Sequence, residues 1–283
     1  MDVRQLRDDD GEHAALHDFG GDGPALLLTH GNGLNAGMWA TVVPHLHSTF
    51  HCFGLDFRGH GASRQVHAPI AVERHWFTDE VIAAVAAIGG APVVAAGHSL
   101  GGAVLLRAEQ SHPGTLRACW AFEPVLIPDT WDAEPPPSHL IEASRRRRLV
   151  FGSVQEAVER FMSKPPFAGC ETDAVRAYVE QGSVAQPDGT VKLTCSGETE
   201  ASIYESNERI DFGQLSGITC PTVVAAGAAV AMGNELPPMV APLVAAALGD
   251  ARLERLAGVT HFAPMEDGAL VARSILDHLT RFV

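Results

Sequence analysis

The sequence predicts an α/β protein, with a doubly wound, mostly parallel sheet and one helical insertion. Short apolar runs alternate with helix-like segments, which is the pattern of a parallel sheet covered by helices. Several of these runs are apolar on both faces, as buried parallel strands must be. The alternation stops between residues 124 and 216, which indicates the insertion. The 283 residues are 46% hydrophobic, which is enough for one large core.

The predicted strands are short runs rich in Val, Leu, Ala and aromatic residues, at residues 25–30, 50–56, 93–97, 118–123, 222–227 and 251–257. The predicted helices span residues 78–88, 101–110, 239–248 and 269–282. In such a fold, ligands bind at the carboxyl ends of the strands. Side chains that directly follow a strand are therefore the first candidates for a site.

The stretch after the fourth predicted strand differs in composition from the rest of the chain. It contains three prolines at 135–137 and four arginines at 145–148. We predict a helical cap over residues 125–215, inserted into a core made of residues 1–124 and 216–283. The arginine run is expected to be a solvated helix face or a partner for nearby acids.

Charge and composition restrict the partners. The formal net charge of -14 argues against nucleic acid or an anionic membrane as partner. The apolar runs are too short to span a bilayer, and the charged start MDVRQLRDDD lacks the apolar region of a signal peptide. Five cysteines without a C-x-x-C pair are typical of free thiols in the cytoplasm, the expected location. The oligomeric state is left open, a homodimer included.

The segment VVAAGHSLGG contains the strongest catalytic signal. Gly97 to Gly101 read G-x-S-x-G between a predicted strand and a predicted helix, which is the context that this nucleophile motif requires. The glycines leave room for a sharp turn that exposes Ser99. The backbone N–H of Leu100, close to the start of the helix, can face a developing oxyanion. Ser99 is therefore the predicted nucleophile.

The base has to be chosen by position, because the chain has fourteen histidines. His261 follows the last predicted strand, in LAGVTHFAPMED, where a loop can reach across the strand ends to Ser99. His30, His60 and His98 also lie near strand ends, and we interpret them as structural. His261 is the predicted base.

The motifs HGNG, DFRGHGAS, GHSLGG and THF follow one another in an order that resembles the α/β-hydrolase family. The resemblance covers nearly the whole chain outside the insertion. It implies a sheet of about eight strands, a cap over the site, and a second oxyanion donor at the backbone N–H of Asn32. It also implies that Asp56, in DFRGHG, bonds backbone amides of neighbouring loops. A serine nucleophile argues against epoxide hydrolases and haloalkane dehalogenases, which resemble this fold but use an aspartate.

The acid of the resembled family is missing from its usual place. Members usually have it in G-x-x-D after the penultimate strand, where this chain has Val230. Glu123 is the predicted substitute, because it closes the strand after the nucleophile strand and keeps the order Ser, acid, His. Some α/β-hydrolases use this strand for their acid, and zearalenone lactonases are among them. The segments AFEPVLIP and AAGAAVAM of this chain resemble the corresponding segments of those lactonases. Glu235 stays open as the acid, as does a structural role for Glu123; Asp129 and Asp267 are less favoured.

Together these residues predict a serine hydrolase that cleaves a carboxylic ester or lactone through an acyl-enzyme on Ser99. The substrate is expected to be a small to medium molecule of low polarity, and no metal or organic cofactor is implied. Open alternatives are a thioester or carbon–carbon bond hydrolase, a decayed ligand-binding member, and an oxidoreductase suggested by the dinucleotide-like run GNGLNA. The apolar residues expected to line the site are Met38, Trp39, Val125, Leu126, Val230 and Met232.

Overall fold

A computed structural model describes residues 2–8, 11–65, 75–131, 138–206, 209–230 and 235–283 of the chain. Its strands are β1 (Asp2–Asp8), β2 (Gly11–Gly20), β3 (Ala25–Thr29), β4 (His51–Asp56), β5 (Val93–His98), β6 (Leu116–Phe122), β7 (Ile127–Pro128), β8 (Val150–Phe151), β9 (Ser183–Ala185), β10 (Val191–Leu193), β11 (Arg209–Ile210), β12 (Thr222–Gly227) and β13 (Arg252–Leu256).

The α-helices of the described residues are α1 (His75–Ala87), α2 (Leu100–Ser111), α3 (Ser138–Arg145), α4 (Val154–Met162), α5 (Thr172–Gln181), α6 (Gly197–Glu205), α7 (Leu236–Ala247), α8 (Ala263–Glu266) and α9 (Gly268–Leu279). Short 3-10 helices lie at Ala36–Trp39, Val43–His45, Phe167–Gly169, Phe212–Gly217 and Thr280–Phe282. None of the helices in this part of the chain has the length and hydropathy needed to cross a bilayer.

The main sheet has eight strands in the order β1-β2-β4-β3-β5-β6-β12-β13. The six strands from β4 to β13 pair in parallel, whereas β1 and β2 form an antiparallel hairpin at one edge. The predicted doubly wound, mostly parallel sheet is confirmed. The six strands expected from the apolar runs are all present, and the hairpin was not expected.

Helices cover both faces of the sheet, which explains why its strands are apolar on both sides. Along β3, Leu26 and Leu28 pack into one buried cluster and Leu27 packs into the other, as the period of two requires. The first cluster includes apolar residues of α9, and the second includes those of α1, α2 and α7. The two layers fix the carboxyl ends of the strands along one edge, where the candidate site lies.

The segment between β6 and β12 contains the four helices α3 to α6. It also contains a small antiparallel sheet, in the order β8-β10-β9, that the sequence did not predict. The strands β7 and β11, near its two ends, pair with each other in parallel. The insertion is therefore mixed in structure rather than helical throughout. Its boundaries at residues 125 and 215 remain a prediction.

Candidate active site

Ser99 occupies the turn between β5 and α2. Its φ of 53° and ψ of -115° place it in a backbone conformation that residues other than glycine rarely adopt. The Ser99 N–H donates to the carbonyl of Phe122 at 2.9 Å, which ties the turn to the neighbouring strand. A β-carbon at Gly97 would lie 2.7 Å from the nitrogen of Gly102, and one at Gly101 would lie 2.7 Å from the carbonyl oxygen of His30. The G-x-S-x-G pattern therefore follows from the close packing of this turn.

The loop after β3 lies against the serine. A β-carbon at Gly31 would lie 3.2 Å from the Cβ atom of Ser99, so the backbone approaches the turn closely. The Nδ1 of His30 donates to the Gly31 carbonyl at 2.8 Å, and its Nε2 accepts from the N–H of Phe57 at 3.1 Å. Burial, reinforced by the nearby His60, lowers the pKa of His30 to about 3. His30 is therefore a neutral, structural residue, as predicted.

A second histidine, His60, fixes Gly33 of the same loop. The Nε2 of His60 accepts from the Gly33 N–H at 3.1 Å, and its Nδ1 bonds the carbonyl of Arg58 at 3.1 Å. Within the described residues, the N–H of Asn32 has no hydrogen-bond partner. The N–H of Leu100 is the first of α2 and has no acceptor inside the helix. The two predicted oxyanion donors, Asn32 and Leu100, border the same cavity as Ser99.

His261 lies in the loop between β13 and α8 and borders the same cavity as Ser99. Its Nδ1 contacts the Oε2 atom of Glu123 at 2.6 Å. The Nδ1 atom carries the proton in this bond, because a carboxylate only accepts, and the Nε2 atom is then free to act as a base. The ring of His98 lies 4.6 Å from that of His261, and its Nε2 donates to the His261 carbonyl at 2.8 Å. His98 supports the loop and does not take the place of the base.

Glu123 directly follows β6 and is fully buried. Its second carboxylate oxygen, Oε1, accepts from the N–H of Gly227 at 3.0 Å, while its own N–H donates to Ala225 at 2.8 Å. Its φ is 43°, and in the described chain it shares a positive φ with Ser99 alone among residues other than glycine. Backbone strain of this kind concentrates at functional sites. Both strained residues follow neighbouring strands at one edge of the sheet.

The other carboxylates considered from the sequence have different positions. Asp56 accepts from the backbone N–H groups of Ala36 at 2.6 Å and Ala62 at 2.8 Å, so its expected structural role is confirmed. Asp267 caps α9 by accepting from Leu270 at 2.8 Å. Glu235 precedes α7 and borders the cavity, but the Nδ1 of His261 already bonds Glu123.

A large cavity opens over Ser99 between the strand ends and the insertion, with a volume of 1570 Å³. Val125 and Leu126 line it as predicted. Met38 and Trp39 do not: both are 0% exposed and pack in the core beneath the sheet edge, so their prediction as lining residues was wrong. The prediction that Val230 lines the site was also wrong, because this residue is 55% exposed and lies outside the cavity lining. Met232 lies outside the described residues.

The insertion contacts the loop after β3, which contains Asn32 and Gly33, through residues that the sequence analysis did not single out. The Tyr178 hydroxyl donates to the Gly33 carbonyl at 3.2 Å, and the Nδ2 of Asn32 donates to the Glu200 carbonyl at 3.0 Å. The Glu200 carboxylate in turn contacts Arg147 at 2.8 Å. No local motif marks these residues, because they reach the loop only through the fold of the insertion.

No group of three or more His, Cys, Asp or Glu side chains is placed to hold a metal ion in the described ranges.

Comparisons with known proteins find hydrolases among the relatives of this chain. The chain is 34% identical over 96 residues to a pimeloyl-[acyl-carrier protein] methyl ester esterase of Methylococcus capsulatus, a match over 34% of this chain and 35% of that protein. It is 23% identical over 208 residues to an (E)-2-((N-methylformamido)methylene)succinate hydrolase of Acinetobacter baylyi, which covers 73% of each chain. The first match thus spans about a third of that relative's length.

A solved structure of E-2-(acetamidomethylene)succinate hydrolase has the same fold. It superposes with a TM-score of 0.79 over 98% of both chains, at 18% identity. The model of the alpha/beta hydrolase family matches residues 26–274 of the chain, which is most of its length. The chain therefore belongs to the alpha/beta hydrolase family.

Proposed function

We propose that this protein is a serine hydrolase that cleaves a carboxylic ester or lactone of a small to medium, fairly apolar molecule. The observation that carries the proposal is the 2.6 Å bond between Glu123 and the Nδ1 of His261, whose side chain borders the same cavity as Ser99. This bond leaves the Nε2 of His261 as the basic atom. The names of curated relatives, which include methyl ester esterases, support ester cleavage in particular.

In the proposed mechanism, the Nε2 of His261 takes the proton of Ser99 as Oγ attacks the carbonyl carbon. The N–H groups of Leu100 and Asn32 donate to the oxyanion that forms. His261 returns the proton to the leaving alcohol, which leaves an acyl group on Ser99. Water then enters, gives one proton to His261 and adds hydroxide to the acyl carbon, so that the acid is released and the Ser99 hydroxyl is restored.

Glu123 has a defined task in this mechanism. Its carboxylate holds the imidazole in the tautomer with the proton on Nδ1, and it stabilises the imidazolium that forms during attack. The Gly227 amide keeps the carboxylate oriented through its second oxygen. Complete burial removes competing water from this bond, and low polarity strengthens it.

The test is labelling with a fluorophosphonate probe, mapped by mass spectrometry, together with turnover of p-nitrophenyl esters. We expect the label on Ser99 and expect Ser99→Ala to lose both labelling and turnover. Ser216→Ala is the matched control, because Ser216 is exposed and lies away from the cavity lining. Thioester and carbon–carbon substrates assayed in parallel identify which bond is cleaved fastest. The proposal fails if the folded wild type leaves Ser99 unlabelled or if Ser99→Ala hydrolyses esters at the wild-type rate.

A further inference from the structure

The cavity wall contributed by the insertion is rich in cations. The chain has 20 Lys and Arg against 34 Asp and Glu, so an excess of positive charge is not expected on average. Around the cavity the balance is reversed, and its described lining has twice as many such cations as acids. The cations are Arg107, Arg146, Arg147, Arg148, Arg160 and Lys164, and the acids are Asp79, Glu200 and Glu235.

Most of these cations already have partners in the fold. Arg107 bonds Gln110 on its own helix. The three arginines of the run at 145–148 that line the cavity pair with acids of the insertion: Arg147 with Glu200 at 2.8 Å, Arg148 with Glu156 at 2.8 Å and Arg146 with Glu142 at 3.1 Å. These three charges are largely neutralised by the protein itself.

Arg160 and Lys164 differ from the others. Across the described ranges, neither side chain has an ion pair, a hydrogen bond or a ring contact. Arg160 lies in the last turn of α4, and Lys164 lies in the turn that follows this helix. Both are exposed, and both line the cavity. Two unneutralised cations therefore face the same opening.

An aromatic wall connects these cations to the proposed base. The ring of Phe262 lies 5.8 Å from that of His261, and the ring of Phe167 lies 5.4 Å from that of Phe262. The ring of Phe161 lies 5.1 Å from that of Phe167, and Phe161 directly follows Arg160 in the sequence. A molecule lying along this wall would have its scissile bond near His261, an apolar middle against the aromatic rings, and its far end near Arg160 and Lys164.

We infer that Arg160 and Lys164 bind an anionic group of the substrate, and that the substrate is an ester with a carboxylate or phosphate separated from the scissile bond by an apolar chain. This inference rests on the proposed ester hydrolysis. A guanidinium can take such a group through two parallel hydrogen bonds, and an ammonium adds a compact charge. The reaction itself is unchanged: water cleaves the ester to an acid and an alcohol, and the distant anion is only bound.

The experiment compares matched esters on matched variants. The substrates are monomethyl suberate, which is anionic, the neutral dimethyl suberate, and methyl 6-phosphonooxyhexanoate as the phosphate arm. The measured quantity is the ratio of kcat/KM for each anionic ester to kcat/KM for the neutral diester. We expect this ratio to fall about tenfold in Arg160→Gln/Lys164→Gln, because two solvent-exposed charge contacts of modest strength are lost. The arm with the larger fall identifies the anion.

The control variant is Arg117→Gln/Lys192→Gln, which changes the net charge by the same amount. Arg117 and Lys192 are exposed and lie outside the cavity lining. We expect it to keep the wild-type ratio. In the wild type, KM for the anionic ester should rise with added salt, and the slope should be flatter in the cavity variant than in the control.

The outcomes separate this inference from the proposed function. If Ser99 hydrolyses the neutral diester but the ratio is the same in both double variants, the anion site is overturned and the hydrolase proposal stands. If no ester is cleaved and Ser99 is unreactive, the proposed function itself fails.

Discussion

The strands β6 and β12 lie side by side and point the same way, yet they end differently. Glu123 follows β6, and its side chain is buried against His261. The strand β12 ends with Gly227, and small apolar residues follow it up to Val230, which is 55% exposed. The amide of Gly227 bonds the carboxylate of Glu123. The strand end at which the sequence analysis expected an acid thus carries the N–H group that holds the Glu123 carboxylate.

The comparison teaches that the carboxylate belongs to a position in space and not to a particular strand. Neighbouring strands of a sheet are about 4.8 Å apart, so a carboxylate at the end of β6 can reach the same imidazole as one on the next strand, provided that its side chain turns towards the ring. The use of β6 has a cost, because Glu123 adopts a φ of 43°. Such strain costs on the order of 1–3 kcal/mol, and the bonds to Gly227, Ala225 and His261 offset it.

The largest effect is expected for Glu123→Gln. The amide keeps the shape but has no negative charge to stabilise an imidazolium. If its oxygen keeps the bond to the Gly227 N–H, its NH2 group donates to Nδ1 and fixes the wrong tautomer, so kcat should fall by about 10⁴-fold. Ester turnover at saturating substrate measures this. Glu142→Gln, which changes an exposed glutamate, is the control and should keep wild-type kcat. A Glu123→Gln variant with more than a tenth of wild-type kcat would remove Glu123 from the proposed mechanism.

A second substitution breaks the comparison directly. In Glu123→Gln/Val230→Asp the acid returns to the position after β12 that the family uses. We expect it to restore kcat by less than tenfold, because Val230 is exposed and does not line the cavity. Recovery of a hundredfold or more would show that the two strand ends are interchangeable as they stand.

Gly227→Ala tests the donor on β12. A β-carbon there would lie 2.5 Å from the Val259 carbonyl oxygen, so the strand end or the His261 loop must shift. We expect kcat to fall by about 10²-fold, the scale of a misplacement near 1 Å. Gly217→Ala is the control, because no atom lies within 4 Å of its added carbon. Equal kcat in both variants would contradict the role given to this amide.

Among the described residues, His30 and His98 are buried at the same edge of the sheet without a bond to a carboxylate, in contrast to His261, which bonds Glu123. Burial lowers the pKa of His98 well below its usual range, helped by His261, and lowers that of His30 to about 3. Unfolding returns both to about 6.5, so the unfolded chain binds more protons below that pH. The free energy of unfolding should therefore fall as the pH drops from 6.5 towards 3, by about 2 kcal/mol from His30 between pH 6.5 and 5 and further through His98.

Urea denaturation at pH 7 and pH 5 measures this loss. His30→Gln should make the pH dependence flatter, since one buried neutral imidazole is removed. His45→Gln, at an exposed histidine, should leave the dependence as it is in the wild type. The explanation is wrong if the two variants show the same slope.

The smallest effect concerns the insertion. Tyr178→Phe removes the hydroxyl that donates to the Gly33 carbonyl and so loosens the loop that presents the Asn32 amide. A neutral hydrogen bond contributes about 1 kcal/mol, so we expect kcat to fall about fivefold while KM stays unchanged. Steady-state kinetics with a neutral ester give both constants. A change in the melting temperature alone would mean that Tyr178 only stabilises the fold.

Much of the fold could be predicted because its signals are local. The strand β12 was expected at the residues where it lies, and runs such as VVAAG are apolar on both faces because helices cover both sides. The hairpin of β1 and β2 was missed, because DVRQLRD is mostly charged or polar and exposed at the edge, so no apolar pattern marks it. The small sheet of the insertion was missed for a similar reason, since its strands have two or three residues each.

The candidate site divides in the same way. Ser99, His261 and Glu123 could be chosen because each follows a recognisable strand, and the topology places strand ends together. Met38 and Trp39 were misplaced, because an apolar residue after a strand can turn towards the core as easily as towards a cavity. The sequence alone thus determined the parallel sheet, the sharp serine turn and the set of groups at its edge, since these depend on local pattern and chain order. Only the tertiary structure decided which carboxylate meets His261, which amides stay free and which cations of the insertion face the cavity, because those contacts join residues more than a hundred positions apart.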